Sequence, residues 1–398
     1  MESAIAFTYE LDDAALGAEE LSRQILSKLT LRANSIGILF CDSDADYIGL
    51  LEALAETLPV EIIGCTSVGM LGHETKGFDE ICVSLTVLTA DDCLFSTALS
   101  EPMTEDNAAQ AIRQAYLRAA SAIEGQPKLI YTLTRGAHDI MTDVYPDTLS
   151  QVSGGAPVFG GVPSGNEGDV PVVFYQGAAY EDRTLLLLVG GDIEPIFECR
   201  SIHPDTVVQK RPITRCTDNI IYEIGGEPVF DYLKSLQMNL NFQNRDDMVL
   251  SFLSKSLYVE DVESDISFVR TIRDVDLEKG YVVVNNKIKQ GDLVSLGILS
   301  RKDIHESVEE CIDTLLKKVR KAEEGGRKFG VILCTSCIAR YLILSPDRHL
   351  EGKALIEGIG EQIPFTGFYS WGEICPLFGR DNACINKSHD KTMSMCAL

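Results

Sequence analysis

The sequence predicts an α/β protein in which repeated strand–helix–strand units form mixed sheets flanked by helices, arranged in two domains. Strand and helix patterns alternate along the chain, which is typical of α/β and α+β folds. A buried strand that ends in glycines recurs three times. The chain also has 398 residues, which is more than one ordinary hydrophobic core serves.

The first elements follow from short apolar runs. "SIGILFC" (35–41) predicts a buried strand, 46–58 a helix, and "VEIIG" (60–64) a second strand. "TEDNAAQAIRQAYLRAASAIEG" (104–125) predicts a helix with Thr104 as its N-cap and Gly125 at its end. The longest apolar run, "LLLLV" at 185–189, has the length of a strand.

A further helix is predicted at 301–324, where apolar residues recur at helical spacing and Gly325-Gly326 follows. "KFGVILCTSC" predicts the strand after it. The stretch 251–300 predicts strands and turns, with a hairpin turning at Asn285-Asn286. A polar, proline-containing segment between Gly191 and Gly225 predicts the domain boundary, so the two domains are placed at 30–200 and 220–398.

The glycine-ended strands form a weak internal repeat. Its three copies are "PVEIIGCTSVG" (59–69), "PVFGGVPSG" (157–165) and "PFTGFYSWG" (364–372). Aligned on Gly64, Gly160 and Gly367, each copy has Ser or Pro three positions later and Gly five positions later. Such turns expose backbone N–H groups at a sheet edge, where open α/β sheets bind ligands.

Composition narrows the class of partner. The net charge is −25, so phosphate backbones and anionic lipid surfaces are repelled, and neither nucleic acid nor membrane is an expected partner. The N-terminus lacks a basic region before an apolar run, and no apolar stretch reaches the ~20 residues of a membrane span. We therefore expect a cytoplasmic protein whose twelve cysteines are mostly reduced.

The third copy of the repeat is the strongest candidate ligand site, because it continues into "GFYSWGEICP" and holds the only tryptophan. Tyr369 and Trp371 alternate toward one face of a strand, so they are expected to wall a pocket. Gly367 and Gly372 would let the backbone approach the ligand, and Glu373 would supply a carboxylate.

Arg340 follows a buried strand and needs a partner, for which Glu373 is the candidate. Two interpretations stay open: a salt bridge that locks two turns, or a polar pair that grips an amino-acid-like zwitterion. Cys65 and Ser67 hold equivalent places in the first copy and join the candidate site, as does Cys337.

The C-x-x-C formed by Cys334 and Cys337 is compatible with a redox pair or half of a zinc site, with Cys375, Cys384 and His389 as further ligands. Their spacings match no metal ribbon, and neutral thiols in a core strand are the favoured interpretation. An enzyme that uses Cys65 or Cys337 as nucleophile remains the alternative from another class. Because no known catalytic motif occurs, we expect no enzymatic activity.

Several motifs together resemble the FIST domain family. "IIGCTSVG", the strand "DEICVSLTVL" and a later "FGG" resemble its N-terminal half, whereas "IIYEIGGEPVFDYLKSL", "LCTSCIAR", "GFYSWGEICP" and "SHDKTMSM" resemble its C-terminal half. The resemblance extends over about 35–398. It departs from the family at Asp390, where the family's terminal His-Asn-x-Thr has an amide, and at Cys334, which the family pattern does not require.

The resemblance implies a sensory module of the bacterial and archaeal kind that binds a small ligand, lacks an output domain, and acts on a separate protein such as a histidine kinase. Some members are haem proteins that sense nitric oxide, so a haem-binding nitric oxide sensor is the alternative. No haem motif accompanies the candidate axial ligands, which are His73, His138, His203, His305, His349 and His389. Ligand identity and oligomeric state stay open.

Overall fold

The computed structural model describes residues 1–135, 140–201, 209–360 and 363–398. Its α-helices are α1 Ala14–Lys28, α2 Tyr47–Thr57, α3 Ala108–Ala120, α4 Val144–Ser153, α5 Val229–Ser235, α6 Arg245–Leu253, α7 Arg301–Glu324, α8 Ile338–Leu344 and α9 His349–Ile359.

The strands of the first part of the chain are β1 Glu2–Thr8, β2 Asn34–Cys41, β3 Glu61–Thr66, β4 Met70–Gly72, β5 Gly77–Asp79, β6 Val83–Ala90, β7 Cys93–Leu99, β8 Leu129–Leu133, β9 Val158–Gly161, β10 Val173–Tyr175, β11 Ala178–Tyr180, β12 Leu185–Gly191 and β13 Ile196–Arg200. Those of the second part are β14 Arg211–Thr217, β15 Ile220–Ile224, β16 Glu227–Pro228, β17 Lys255–Asp261, β18 Ile266–Arg270, β19 Ile272–Asp276, β20 Tyr281–Val284, β21 Leu293–Ile298, β22 Ile332–Cys337, β23 Phe365–Ser370, β24 Glu373–Phe378, β25 Cys384–His389 and β26 Met393–Ala397.

The predicted α/β class with mixed sheets is confirmed, and the helix predicted at 301–324 is α7. Ser300 caps α7, because its hydroxyl accepts from the Asp303 N–H while the Asp303 carboxylate accepts from the Ser300 N–H. The helix predicted at 104–125 is shorter, since α3 begins after Asn107. Thr104 lies in the preceding turn, where its backbone N–H donates to the Asn107 side chain.

The internal repeat is confirmed in three dimensions. In each copy the strand before the helix pairs in parallel with the glycine-ended strand after it, as β2 with β3, β8 with β9 and β22 with β23. An antiparallel strand then flanks the first member of each pair, namely β6, β12 and β26. The three repeats therefore build three similar six-stranded sheets from the described residues.

Each repeat contributes a hairpin that pairs with the edge of another repeat's sheet. The β4–β5 hairpin of the first repeat pairs with β23 of the third, and β10–β11 of the second pairs with β3 of the first. The β24–β25 hairpin of the third repeat pairs with β9 of the second and closes the ring. Strands from both predicted domain ranges, 30–200 and 220–398, thus share two of the sheets. We call this ring of three repeats the body.

A separate sheet of eight strands, β14–β21, is inserted into the third repeat between β13 and α7. Its apolar face packs against α5 and α6 around Tyr232, Phe252 and Val282. We call this insertion the lobe. Arg270 joins it to the body, because its buried guanidinium lies 3.4 Å from the Asp143 carboxylate and donates to the Ser388 carbonyl.

The hairpin predicted at Asn285-Asn286 is wrong. The strand before these residues, β20, pairs with β15 and β19, and the strand after them, β21, pairs with β14 and β17. The Asn286 side chain instead accepts the backbone N–H of Asp143 at 3.0 Å and so holds the lobe to the body. The asparagine pair makes an interface contact rather than a tight turn.

Candidate functional site

The three glycine-rich turns meet one another inside the body. The Ser67 hydroxyl donates to the Tyr369 carbonyl at 3.1 Å, and the Ser164 hydroxyl donates to the same oxygen. Ser370 closes the set, because its hydroxyl accepts the Val162 N–H at 3.1 Å. Ser67 is therefore placed by the structure at a junction between strand ends.

The repeated glycines serve close packing between parallel strands. A Cβ atom at Gly367 would lie 2.2 Å from the Cys334 carbonyl oxygen of β22, and one at Gly64 would lie 1.8 Å from that of Leu39. Gly160 approaches Thr132 in the same way. The structure thus assigns Gly367 a packing role between strands, whereas a Cβ at Gly372 would make only ordinary contacts.

A cavity of about 540 Å³ lies beside the third turn, between the lobe and the body. We call it the interlobe cavity. Trp371 lines it with a ring that is 38% exposed, and Cys337 lines it from the start of α8. The rest of its apolar and aromatic wall is formed by Ile140, Tyr145, Val162, Val249, Phe252, Leu253, Ile272, Ile338, Ala339 and Leu342.

The charged groups of the interlobe cavity are mainly basic, although the protein is strongly acidic. The cationic residues are Arg135, Arg245, Arg273 and Lys391, and the acidic ones are Asp274 and Asp390. The Lys391 ammonium group donates to the carbonyls of Phe252 and Lys255 at 2.9 and 3.0 Å. Burial lowers the pKa of Lys391 to about 8.

Arg340 does not pair with Glu373 as predicted. Its guanidinium donates to the Glu351 carboxylate at 2.8 Å, and both side chains are fully buried. Further nitrogens of Arg340 reach the Ile304 carbonyl and the Ser307 hydroxyl. Because all these partners are internal, the geometry favours the locking salt bridge over the gripping of a zwitterion.

Glu351 was missed by sequence reasoning. Its second oxygen accepts from Tyr369 Oη at 2.6 Å and from Ser336 Oγ at 2.8 Å, so one carboxylate joins three elements. A signal existed: Glu351 shares the buried stripe of α9 with Leu355 and Ile359. A carboxylate on an apolar stripe requires a buried cation.

Tyr369 and Trp371 do not share a pocket wall. Tyr369 is fully buried against Tyr341 and Phe78 in the core beneath α9. The strand β23 ends at Ser370, so the alternation that would place both rings on one face stops before Trp371. Of the two rings, only Trp371 lines the interlobe cavity.

Glu373 lies behind Trp371 and is fully buried. One carboxylate oxygen accepts from the backbone N–H and hydroxyl of Thr392 at 3.1 and 2.8 Å, and the other has no hydrogen-bond partner. Burial raises the pKa of Glu373 well above its usual range, although the Thr392 hydrogen bonds oppose this. The buried Glu373 carboxyl group therefore favours its protonated form more strongly than an exposed glutamate does.

Burial raises the pKa of Cys65 and Cys337 well above the usual thiol range. Cys65 lies in the core cluster, and Cys334 is buried with its pKa likewise raised. Neutral, buried thiols are poor nucleophiles. Among the described residues, no group of three or more His, Cys, Asp or Glu is arranged to hold a metal ion.

No histidine of the described ranges lines the interlobe cavity, and burial raises the pKa of its cysteine, Cys337. His305 and His349 are exposed on helices, and His73 contacts Phe365. His138 and His203 lie outside the described residues. His389 is fully buried and faces a second cavity.

This second cavity, of about 690 Å³, lies where β13, α7 and the lobe strand β18 meet. We call it the thiol cavity, because Cys199 and His389 line it. Sequence reasoning missed Cys199, which sits alone in a short strand with no nearby motif. His389 was considered as a metal or haem ligand, with a hydrogen-bonding role favoured because Asp390 is adjacent, and its Nε2 lies 2.9 Å from the Cys375 carbonyl oxygen.

The architecture is an α/β body with an inserted lobe and a cavity between them, and family comparison identifies the class of protein to which it belongs. The FIST N domain matches residues 35–227 and the FIST C domain matches residues 231–376. The chain belongs to the FIST family. FIST domains are associated with the sensing of small ligands in signal transduction.

Other comparisons are weaker. A cyanuric acid hydrolase from A. caulinodans is 8% identical, with 100% of this chain and 98% of that chain covered and a TM-score of 0.37. A chorismatase is 8% identical, with 100% and 98% covered and a TM-score of 0.35. These values support no conclusion about function. No curated protein sequence matches significantly. Among the described helices, none is long and apolar enough to cross a membrane.

Proposed function

We propose that this protein is a small-ligand-binding sensory protein, that its ligand occupies the interlobe cavity, and that it binds without turnover. The observation that carries the proposal is the placement of Trp371 and of Asp390-Lys391, from two family-like motifs, on one cavity between lobe and body. Cavities of this size with apolar walls and a few polar groups are typical of small-molecule sites.

The chemistry of the wall favours an amino-acid-like ligand. Arg245 and Arg273 on the lobe suit a carboxylate, since guanidinium groups bind carboxylates through paired hydrogen bonds. Asp274 and Asp390 provide acceptors for an ammonium group, and Trp371 provides an apolar surface for a side chain.

The proposed output is a change in the position of the lobe. Because lobe and body both line the cavity, a ligand that contacts both stabilises the arrangement in which they are close. A separate signalling protein, such as a histidine kinase, would read that change, as the family resemblance implies. The site is expected in the cytoplasm, with no nucleic acid or membrane partner.

The test uses the only tryptophan of the chain as its reporter. Purified protein is titrated with a panel of free amino acids and small carboxylates while Trp371 fluorescence is recorded, and affinities are confirmed by calorimetry. We expect saturable binding of at least one carboxylate. A panel that produces no saturable change would contradict the proposal, as would consumption of the bound compound.

Matched variants locate the ligand. Arg245→Gln removes a cavity cation, whereas Arg215→Gln removes an exposed lobe cation that pairs with Glu223 outside the cavity. We expect about tenfold weaker binding for Arg245→Gln, which corresponds to one lost charge-assisted hydrogen bond, and no change for Arg215→Gln. Trp371→Ala, measured by calorimetry, should weaken binding to a similar extent without loss of folding. Equal effects of both arginine variants would place the ligand elsewhere.

The haem alternative has its own measurement. The absorption spectrum of protein expressed with added haem is recorded, and no stoichiometric Soret band is expected, because the interlobe cavity offers no histidine from the described ranges.

A further inference from the structure

A groove runs along β13, which is an edge strand. Among the described strands, β13 pairs with β26 on one side and is the last in the order of its sheet. The thiol cavity borders 197–201, and a cavity of about 660 Å³ borders 195–197. Phe197, Lys318 and Phe378 line both cavities, so the two form one groove along 195–201. We call it the β13 groove.

The walls of the β13 groove come from both the body and the lobe. One wall is a single side of α7, and the opposite wall is 265–269 of the lobe. The groove follows roughly 20 Å of extended chain. An accessible sheet edge flanked by side-chain pockets is one of the recurring ways in which proteins bind an extended peptide.

The backbone of β13 has donors and acceptors on its groove side. Val331 and Leu398 exchange two backbone hydrogen bonds, which fixes the alternation along β26: every second residue bonds to β22, and the others bond to β13. By this alternation Glu198 bonds to β26. Phe197 and Cys199 therefore direct their backbone N–H and C=O groups toward the groove.

Two cationic side chains cover the edge carbonyls. The Lys318 ammonium group donates to the Phe197 carbonyl at 3.1 Å, and an Arg200 nitrogen donates to the Cys199 carbonyl at 2.9 Å. Both cations are partly exposed and are also paired with Glu198. Each keeps that pairing when it leaves the carbonyl, so a peptide N–H can replace it. Such covers also protect an edge from unselective pairing.

Charge is distributed unevenly along the β13 groove. The cationic residues that line its 195 end are Lys318, Lys321 and Arg327, of which Arg327 is paired with Glu194. The described acidic residues of the lining lie toward the 201 end, namely Glu198, Asp265 and Glu310, with Arg200 beside Glu198. A segment that carries acidic side chains is therefore favoured at the 195 end.

We propose that the β13 groove binds an extended segment of a separate protein, which adds to β13 as an antiparallel strand with acidic side chains toward its C-terminal end. Antiparallel pairing is the more stable arrangement per residue. It places the C-terminal end of the segment at the 195 end of the groove, where the cations lie. Phe378, which is 42% exposed and lines both cavities, offers an apolar contact to the segment.

This docking surface goes beyond the proposed ligand site. It shares no lining residue with the interlobe cavity, and it does not require that cavity to be occupied. A second copy of this chain is a less favourable occupant, because two molecules with a net charge of −25 repel each other.

The first experiment selects peptides from a displayed library of random sequences of about ten residues, a length that spans the groove. The purified protein is used without any small ligand, so the result is independent of the proposed function. We expect enriched sequences with Asp or Glu in the C-terminal half and apolar residues before them. Enrichment without this polarity, or no more enrichment than with the Lys321→Glu variant, would overturn the proposal.

The second experiment asks whether the backbone of the peptide pairs with β13. The strongest selected peptide is synthesised with N-methyl groups on alternate residues, in each of the two registers, and its binding is measured by fluorescence anisotropy. The register that faces β13 should lose at least about tenfold in affinity, because its N–H donors are removed, and the other should change by less than about twofold. Equal effects in both registers would rule out strand addition.

Hydrogen exchange locates the added strand on the protein. When the peptide is saturating, the backbone amides of Phe197 and Cys199 should exchange at least about tenfold more slowly, because each gains a hydrogen bond. The Glu198 amide, which already bonds to β26, is the internal control. Protection elsewhere, with no change at Phe197 and Cys199, would contradict the assignment.

A matched pair of variants tests the cationic end. Lys321→Glu reverses a charge that lines the groove, whereas Arg320→Glu reverses an exposed charge on the same turn of α7 that lines neither cavity. We expect about fivefold weaker peptide binding for Lys321→Glu and little change for Arg320→Glu. Equal losses would indicate only an effect of net charge. A dimer of the free protein that Lys321→Glu dissociates, with no peptide bound, would instead assign the groove to a second copy.

Discussion

The interlobe cavity and the thiol cavity each have a cysteine in their wall, and the pKa values of the two thiols are shifted in opposite directions. Burial raises the pKa of Cys337 well above the usual thiol range, whereas the pKa of Cys199 lies well below that range because Cys375 and the positive charge of His389 outweigh burial. The difference teaches that a cavity wall alone does not activate a thiol. A partner that supplies charge or a hydrogen bond is required.

The largest expected loss of stability comes from breaking the salt bridge between Arg340 and Glu351, which holds one wall of the interlobe cavity in place. Arg340 holds α8, which lines that cavity, to Glu351 of α9. Arg340→Ala leaves the Glu351 carboxylate buried without its cation, and we expect a loss of about 3–5 kcal/mol in the free energy of unfolding. Urea denaturation at pH 7 measures it.

Tyr369→Phe is the control for this change, because it removes only one hydrogen bond to the same carboxylate. It should cost about 1–2 kcal/mol. The double variant Arg340→Ala/Glu351→Gln should recover part of the loss, and failure to recover any would contradict an electrostatic origin.

An intermediate effect on stability is expected from Lys391, which lines the interlobe cavity and has a pKa lowered to about 8. Between this value and the ordinary lysine pKa near 10.5, the unfolded chain binds more protons than the folded one, so the contribution of Lys391 to stability rises with pH. Lys391→Met removes this rise. Its stability relative to wild type should therefore fall by up to roughly 3 kcal/mol between pH 7 and pH 10.5.

The measured quantity must be the difference in unfolding free energy between wild type and Lys391→Met. The raised pKa values of the buried thiols make the stability of each protein change with pH in the opposite direction. Thiols that stay protonated in the fold lose their stabilising contribution as the pH rises above about 8.5. Both proteins carry the same thiols, so this loss cancels in the comparison. A constant difference across the pH range would show that Lys391 is not buried as a shifted amine.

The smallest effect on stability is expected at Glu373. This residue lies between Trp371, which lines the interlobe cavity, and Thr392, which lines the thiol cavity. Its pKa is raised, so its contribution to stability is complete at low pH and is lost as the pH rises toward the folded value. Glu373→Gln mimics the neutral acid. It should lie within about 1 kcal/mol of wild type at pH 4 and become the more stable of the two by pH 8 in thermal unfolding.

Elements that are determined by a local residue pattern could be predicted from the sequence. The apolar stripe of α7 and the glycines that follow it define that helix, and the spacing after Gly64, Gly160 and Gly367 revealed the threefold repeat. The same glycines misled about function. They looked like openings for a ligand, and they are positions where a neighbouring strand leaves no room for a side chain.

What escaped prediction depends on contacts between distant segments. Arg340 and Glu351 are only eleven positions apart, yet the stripe that places Glu351 on the buried face of α9 does not identify Arg340 as its partner. The hydroxyl that donates to the Cys199 sulfur belongs to Ser394, which lies 195 positions later in the chain. Trp371 lines the interlobe cavity, whereas the predicted alternation with Tyr369 is wrong because the strand ends at Ser370, before Trp371.

The exchange of hairpins around the body has a consequence for the order in which the chain acquires structure. During synthesis the segment containing β4 emerges about three hundred residues before its partner β23, and β9 emerges about two hundred residues before β24. Until then both sheets have an open edge, and pairings over such separations are slow to form. We therefore expect the ring to close only after the third repeat has been synthesised, although the first two repeats can already pair through β10 and β3.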